Sequence, residues 1–488
     1  MRATPRRASA LLRFSARRPA FPHAAPIPTP LWRRPAALGM MIFVVGSIVE
    51  WLRLSSADQG TLWAEDVRNF LGNAVTHGIA SLATPYAGYL HTVPRLIATG
   101  TVAVAPVAGW ATSMAFGACV VAAGVAALVF ICARDVVPST VLRLGLAAIT
   151  LLVPLAPREV LGNTANLHWY FLWLAPWLLL YRPRTRTGAW LLAGAALLAT
   201  MTEIQMAVFI PLMLWRWRDR PMLPVRMLYL VGVAAQLLAT LSDPRGSSSA
   251  NPVPIASVAY GYLINAVMTS WTADPHVIAW MLGVAGPIAG IVLLLPFAAA
   301  AVVGLLRGSR LQRLMVVVCS VSSMAFYAIA VEVSPGTFYD YASMSDAQLD
   351  APWLARYGVA PSMFLLALVP LALAALARPR GVVGESVGGV AGTRVGIGAG
   401  TAGAAGFSSV GARPRKVLLP AITLVVLAAV LAGNFSSTVS RRSNGPLWQP
   451  QVAAMEAYCD IAAPSAVYTL RGAPAVEWKV DVPCSRVP

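Results

Sequence analysis

Apolar runs of roughly 17 to 25 residues recur along this chain, separated by short stretches that carry most of its arginines. A helix rises about 1.5 Å per residue, so runs of that length match the roughly 30 Å hydrocarbon core of a bilayer. Composition points the same way: 58% of residues are hydrophobic and only 11% are charged, against roughly 25% charged in soluble domains. The net charge of +18 is carried almost wholly by arginine, Lys416 and Lys479 being the only lysines. A basic total can signal nucleic acid. Here the arginines cluster between apolar spans, the pattern that orients membrane proteins, which argues against a nucleic-acid partner.

The expected fold class is therefore all-α: a polytopic transmembrane helical bundle of about eleven spans, with interfacial helices in the first external loop. The spans read as 36–52, 111–133, 143–156, 168–181, two short ones within 190–215, then 222–241, 277–305, 314–331, 358–377 and 417–433. Residues 1–35, rich in arginine and proline and free of acids, read as a disordered basic cytoplasmic arm. The core is 36–377 with an external loop over 53–110. Residues 378–416 read as a flexible Gly/Arg-rich cytoplasmic linker, and 434–488 as a small external tail. Arginine placement puts the N-terminus in the cytoplasm and the C-terminus outside the cell membrane. It also favours 93–108 as a juxtamembrane helix and not a crossing. A second interfacial helix with an aromatic belt is expected after Pro254, around Tyr260, Tyr262 and Trp271.

Of five cysteines, Cys119, Cys132 and Cys319 fall in apolar spans and read as small core residues. Cys459 and Cys484 fall in the polar tail, where an oxidising compartment would allow a disulfide.

The chemistry-bearing groups concentrate in the outer loops. The stretch from Trp63 to Arg95 holds Glu65 and Asp66 side by side on a chain with only 19 acidic residues. The pair reads either as helix-capping acids or as a catalytic pair, in which only one carboxylate can aim squarely at a reacting atom because helical neighbours diverge by about 100°. In PYAGYLHTVPRL, Tyr89, His91 and Arg95 either anchor the chain at the interface or form a groove for a lipid phosphate. In NTANLHW, Asn166, His168 and Trp169 offer hydrogen-bonding and stacking groups of the kind that hold sugars, with capping by Asn as the plainer reading. Arg356, an arginine on the outer side, either pairs a phosphate or makes an exposed ion pair with Asp350.

This plan resembles the GT-C superfamily of integral membrane glycosyltransferases, the matching features being the loop after the first span, Glu65-Asp66 within it, and the helix at 93–108. The phrase PYAGYLHTVPRLIA is similar to uncharacterised bacterial membrane proteins of this plan. The resemblance spans roughly 36–377 and implies an acidic catalytic base in the first loop and a polyprenyl-phosphate-linked sugar as donor. On this basis Asp66, or Glu65, deprotonates an acceptor hydroxyl of an envelope glycan or glycolipid. Arg95 and Arg356 hold the leaving phosphate, and Tyr89, His91, Asn166 and His168 contact substrate. The expected outcome is inverting hexosyl or pentosyl transfer at the outer face, among membrane lipid. No cofactor is implied, although paired acids could hold a divalent cation. The small tail departs from relatives with large soluble C-terminal domains. The alternative is a multi-span transporter or lipid-linked-sugar flippase working through Glu50, Glu203 or Glu332; a non-catalytic assembly factor is the third reading.

Overall fold

The computed structural model describes residues 35–246, 252–334, 337–350, 356–377, 415–437, 440–475 and 477–486. The expected basic arm and nearly all of the expected linker lie outside the described residues.

The fold is mostly helical, and seven helical segments are long and apolar enough to cross a membrane: Pro35–Arg53, Val107–Asp135, Thr140–Glu159, Arg220–Ser242, Pro287–Arg307, Arg310–Val333 and Arg356–Leu376. The chain is thus compatible with a multi-pass membrane protein. The expectation of about eleven spans is reached only by counting shorter helices. Leu167–Leu180 has 14 residues, or about 21 Å. It is hydrophobic all round and buried along almost its whole length, as a helix of that composition must be. Arg356–Leu376 is its equivalent among the long segments, 89% buried, whereas Pro287–Arg307 is only 17% buried and turns most of its surface outward. Trp173 and Phe364 meet edge to face at 5.3 Å between these two central helices. The helix from Trp110 to Cys132 is rich in alanine and packs closely against Pro35–Arg53: a Cβ at Gly46 would come within 3.2 Å of Ala123 Cβ, small-residue packing of the kind that draws membrane helices together.

Residues 190–215, read as two short spans, form Arg186–Thr200 followed by a 3₁₀ segment, Ile204–Leu214, both shorter than a full crossing requires. Arg182, before the first, lies 3.7 Å from Asp219, after the second, so the two form a hairpin with Thr202 and Glu203 at its tip. The span expected at 277–305 is two helices, Pro275–Ala285 and Pro287–Arg307. Gly286 sits between them at φ +55, a conformation that suits glycine, and Pro287 starts the second at a position where its missing N–H costs nothing. The segment after Pro254 runs on through Ile264–Ser270, which is buried inside the protein and does not form a surface belt. Its backbone approaches the start of the 356–376 segment so closely that a Cβ at Gly358 would lie 1.9 Å from Asn265 O.

The tail corrects the all-α expectation. It holds a helix, Trp448–Cys459, and an antiparallel pair of strands, Val467–Arg471 and Lys479–Pro483, with Leu470 opposite Val480. Cys459 and Cys484 are joined by a disulfide. The tail lies against the first loop: Ala64 N donates to Ala473 O (2.6 Å) and Ala473 N to Leu62 O (2.9 Å). Trp448 reaches Gly60 O and Val107 O, each at 2.8 Å, and Arg442 donates to Gly162 O at 2.8 Å. The first loop, the segment 157–167 and the tail therefore meet at one end of the bundle.

Candidate functional site

At that end a cavity of about 140 Å³ opens among four segments far apart in sequence: 65–91, 165–169, 205 and 245 with 330–357. The residues bringing chemistry to it are Glu65, Tyr86, Tyr89, His91, Asn166, His168, Trp169, Gln205, Arg245, Arg356 and Tyr357.

Local geometry explains how the first loop faces it. Ala64, directly before Glu65, is held at φ +24 by its strand-like bond to Ala473, which in turn bonds Leu62. Tyr86 and Tyr89 bridge each other across Ala87 and Gly88, whose φ values of +50 and +87 make a tight hairpin turn. Thr240 binds Gly88 O, and Gln236 accepts from Leu90 N at 2.9 Å, which fixes this turn to the end of the 223–242 helix. His91 follows at φ +54. Left-handed backbone at non-glycine residues stores strain and gathers at functional sites. Among the described residues it occurs at Ala64, Ala87, His91 and Arg216; Ala87 and His91 line this cavity, and Ala64 directly precedes Glu65, which does.

The two neighbouring acids have separate surroundings. Asp66 is 1% exposed and does not line the cavity. Its carboxylate accepts from Thr164 Oγ1 (2.6 Å), Thr164 N (3.0 Å) and Ala165 N (2.9 Å). Burial pushes its carboxyl up to about 6, against the pull of those three donors. Asp66 is thus a tether between the first loop and the segment before the 167–180 helix. Glu65 faces the cavity, and its Oε2 is buried without a partner. Of the two acids read as a candidate pair, Asp66 has its oxygens taken by the chain, and Glu65 lines the cavity.

Arg95 is likewise held away from the cavity. It is fully buried behind the wall, donating to Leu90 O at 3.0 Å and lying over the Phe70 ring, and no part of it lines the cavity. Tyr89, His91, Asn166, His168 and Arg356 are brought together. His91 is 3% exposed with neither ring nitrogen bonded, and it stacks on Tyr89 at 3.7 Å. Burial, reinforced by His168 and Arg95, holds it well below the ordinary imidazole range, so it is neutral at pH 7. His168 Nδ1 is 2.6 Å from Glu203 Oε2, while Glu203 Oε1 caps Gln205 N at 2.7 Å. The hairpin tip that carries Glu203 is fixed beside His91 by Val93 N donating to Thr202 Oγ1 at 3.1 Å. Arg356 bonds Glu159 through its backbone N at 3.2 Å, with the guanidinium 3.8 Å from the same carboxylate. Asp350, the partner expected for it, pairs instead with His276 at 2.6 Å.

Arg245 and Glu203 are the participants that sequence reasoning did not assign to a site. Arg245 was legible by the argument already applied to Arg356: an arginine on the outer side opposes the charge rule. It is held by Ser334 at 2.9 Å. Glu203 enters the sequence reading only as an acid of the transporter alternative; its pairing with His168 depends on the hairpin fold.

Unpartnered buried polar atoms mark the cavity as a binding site. They belong to Glu65, His91, Asn166, Trp169 and Gln205, and each loses water's hydrogen bonds at a cost of about 1–3 kcal/mol unless something replaces them. Two guanidinium groups and four aromatic side chains, Tyr86, Tyr89, Trp169 and Tyr357, complete the wall. Such a site suits a small polyhydroxylated or phosphorylated ligand. Among the described residues no cluster of three or more His, Cys, Asp or Glu is arranged to hold a metal ion. No family of known proteins, no curated protein and no solved structure matches this chain.

Proposed function

We propose that the protein is a membrane glycosyltransferase that moves one sugar from a polyprenyl-phosphate donor to an envelope glycan or glycolipid acceptor at the outer face of the cell membrane. The observation that carries this reading is the convergence of Glu65, with its free Oε2, and the guanidinium groups of Arg245 and Arg356 on one small aromatic-walled cavity.

In this reading Glu65 takes the proton from the acceptor hydroxyl as that oxygen bonds to the anomeric carbon. The bond from anomeric carbon to phosphate oxygen breaks on the opposite face, and its electron pair leaves on the phosphate. Arg245 and Arg356 neutralise the charge that develops there. Neutral His91, Asn166 and the carboxylate-backed His168 hold sugar hydroxyls, and Tyr89, Trp169 and Tyr357 offer faces for the ring. Such a donor needs no nucleotide-binding fold, and its apolar tail stays in lipid. The transporter or flippase alternative requires free intramembrane acids. Glu50 pairs with Arg53 at 3.4 Å through one oxygen, both oxygens of Glu203 are engaged, and Glu332, the third acid of that reading, is exposed.

The test uses the full chain in liposomes with a panel of radiolabelled polyprenyl-phosphate monosaccharides and an envelope extract as acceptor. Donor consumption that falls about 10²- to 10⁴-fold in Glu65→Gln supports the reading. If no lipid-linked donor is consumed while labelled sugar or lipid crosses the membrane, the transporter reading replaces it.

A further inference from the structure

At the end of the bundle opposite the cavity, the hairpin of Arg186–Thr200 and Ile204–Leu214 returns to the loop Trp215–Asp219, and a cleft of about 440 Å³ is lined by Arg182, Arg216, Trp217, Arg218 and Asp219. The loop is built around a buried guanidinium. Arg226 donates to three successive carbonyls, Trp215 O (2.6 Å), Arg216 O (3.1 Å) and Trp217 O (2.9 Å). Collecting those carbonyls inward turns the side chains of Arg216, Trp217 and Arg218 outward, where all three are exposed. Arg216 takes φ +50 to do so, a conformation costly for a side chain without local compensation. The two acids within reach are occupied: Asp135 by Arg184, and Asp219 by Arg182 at 3.7 Å. Among the described residues, the guanidinium groups of Arg216 and Arg218 meet no carboxylate, and Arg218 lies over the Trp217 ring at 4.6 Å. Leu214, Leu223 and Met227, which flank the loop in sequence, are all exposed and supply an apolar face on the helices that enter and leave it.

We infer that this cleft binds the headgroup of an anionic phospholipid, with its acyl chains lying along Leu214, Leu223 and Met227. A planar guanidinium matches a phosphodiester bidentately, and an indole prefers the level of the headgroups. The apolar face argues for a lipid and not a soluble phosphate, since a free anion has no use for it. The occupant fastens the base of the hairpin whose tip carries Glu203. This inference does not rest on the proposed reaction.

The full chain in a neutral detergent is titrated with dioleoyl phosphatidylglycerol, dioleoyl phosphatidylcholine or inorganic phosphate, with bound lipid counted by native mass spectrometry and thermal unfolding followed in parallel. Phosphatidylglycerol is expected to bind and stabilise at concentrations where the other two do not. In Arg216→Gln/Arg218→Gln its apparent affinity falls about 5-fold per arginine, near 30-fold together. Arg307→Gln/Arg310→Gln, which removes the same charge outside the cleft, is expected to change it less than about 2-fold. Equal stabilisation by the two lipids overturns the proposal. So does an equal loss in both double variants, which would mean only diffuse charge attraction. Inorganic phosphate matching phosphatidylglycerol would make this a soluble-anion site and also overturns it. If the double glutamine variant does not fold, Arg218→Lys alone keeps the charge but loses the fork, and undiminished binding there counts against the inference.

Discussion

Two sets of buried polar side chains share one end of this bundle, and they differ in what they touch. Behind the cavity, Arg53 donates to Phe435 O at 2.7 Å and Val153 O at 3.0 Å, Arg442 to Gly162 O, and Asp66 accepts from Thr164 and Ala165. These charges close loop backbone that would otherwise be buried unpaired, and they join the first loop, the 157–167 segment and the tail. In the cavity wall, Glu65, His91, Asn166, Trp169 and Gln205 carry unpartnered buried polar atoms around one shared space, whereas behind it such atoms, as at Arg442 Nε, do not line that space. Burial alone therefore does not mark a functional acid: Asp66 is the more buried of the pair, yet its partners are the chain itself.

The sharpest way to break this comparison is to neutralise each acid in turn. Glu65→Gln is expected to cost transfer about 10²- to 10⁴-fold with melting temperature unchanged. Should Asp66→Asn lose activity by that factor while folding as stably as the wild type, the two roles are reversed.

The tail offers the next largest effect. Its disulfide closes a loop of 25 residues, a constraint of about 3 kcal/mol in the chain-entropy account. Cys459→Ser/Cys484→Ser is expected to melt earlier by that order. In the wild type, maleimide should label neither thiol until a reductant is added; labelling without reductant would refute the bond.

Asp66→Asn removes one of the two oxygens that receive the backbone N–H groups of Thr164 and Ala165, and is expected to destabilise by about 1–3 kcal/mol. The pH dependence has a definite sign. The Asp66 carboxyl titrates at about 6 in the folded protein against an ordinary 3.8. Between those values the folded state keeps a proton that the unfolded chain has released. The resulting stability is complete below pH 3.8 and is lost as pH rises through about 6. Thermal unfolding of the wild type should therefore decline across that window more steeply than that of Asp66→Asn; parallel curves would count against it.

Arg356→Lys keeps the charge and loses the fork, so donor affinity is expected to fall about 10-fold with little change in melting. The smallest perturbation tests sidedness. Thr76→Cys and Ser443→Cys are exposed positions expected to react with an impermeant maleimide from outside intact cells, and Arg218→Cys only after permeabilisation. Reaction of Arg218→Cys from outside would reverse the orientation read from the arginines.

What the sequence by itself determined is the local part. Helix positions such as Pro35–Arg53, Trp110–Cys132, Leu223–Ser242 and Val359–Leu376 follow from uninterrupted apolar length, because a backbone that leaves water must bond within its own segment. The crowding of polar groups into a few loops was legible for the same reason. The break at Gly286-Pro287 was legible too, and was passed over because apolar character continues across it. Tertiary structure alone decided which of two adjacent acids faces the cavity, since that turns on Ala64 at φ +24 against Ala473, some 400 residues away in the chain. It also decided that Glu203 meets His168, that Arg245 joins Arg356, and that Arg95 is spent on Leu90 O. Periodicity reports one helix at a time; convergence depends on how the helix ends pack, and no short window of residues contains that information.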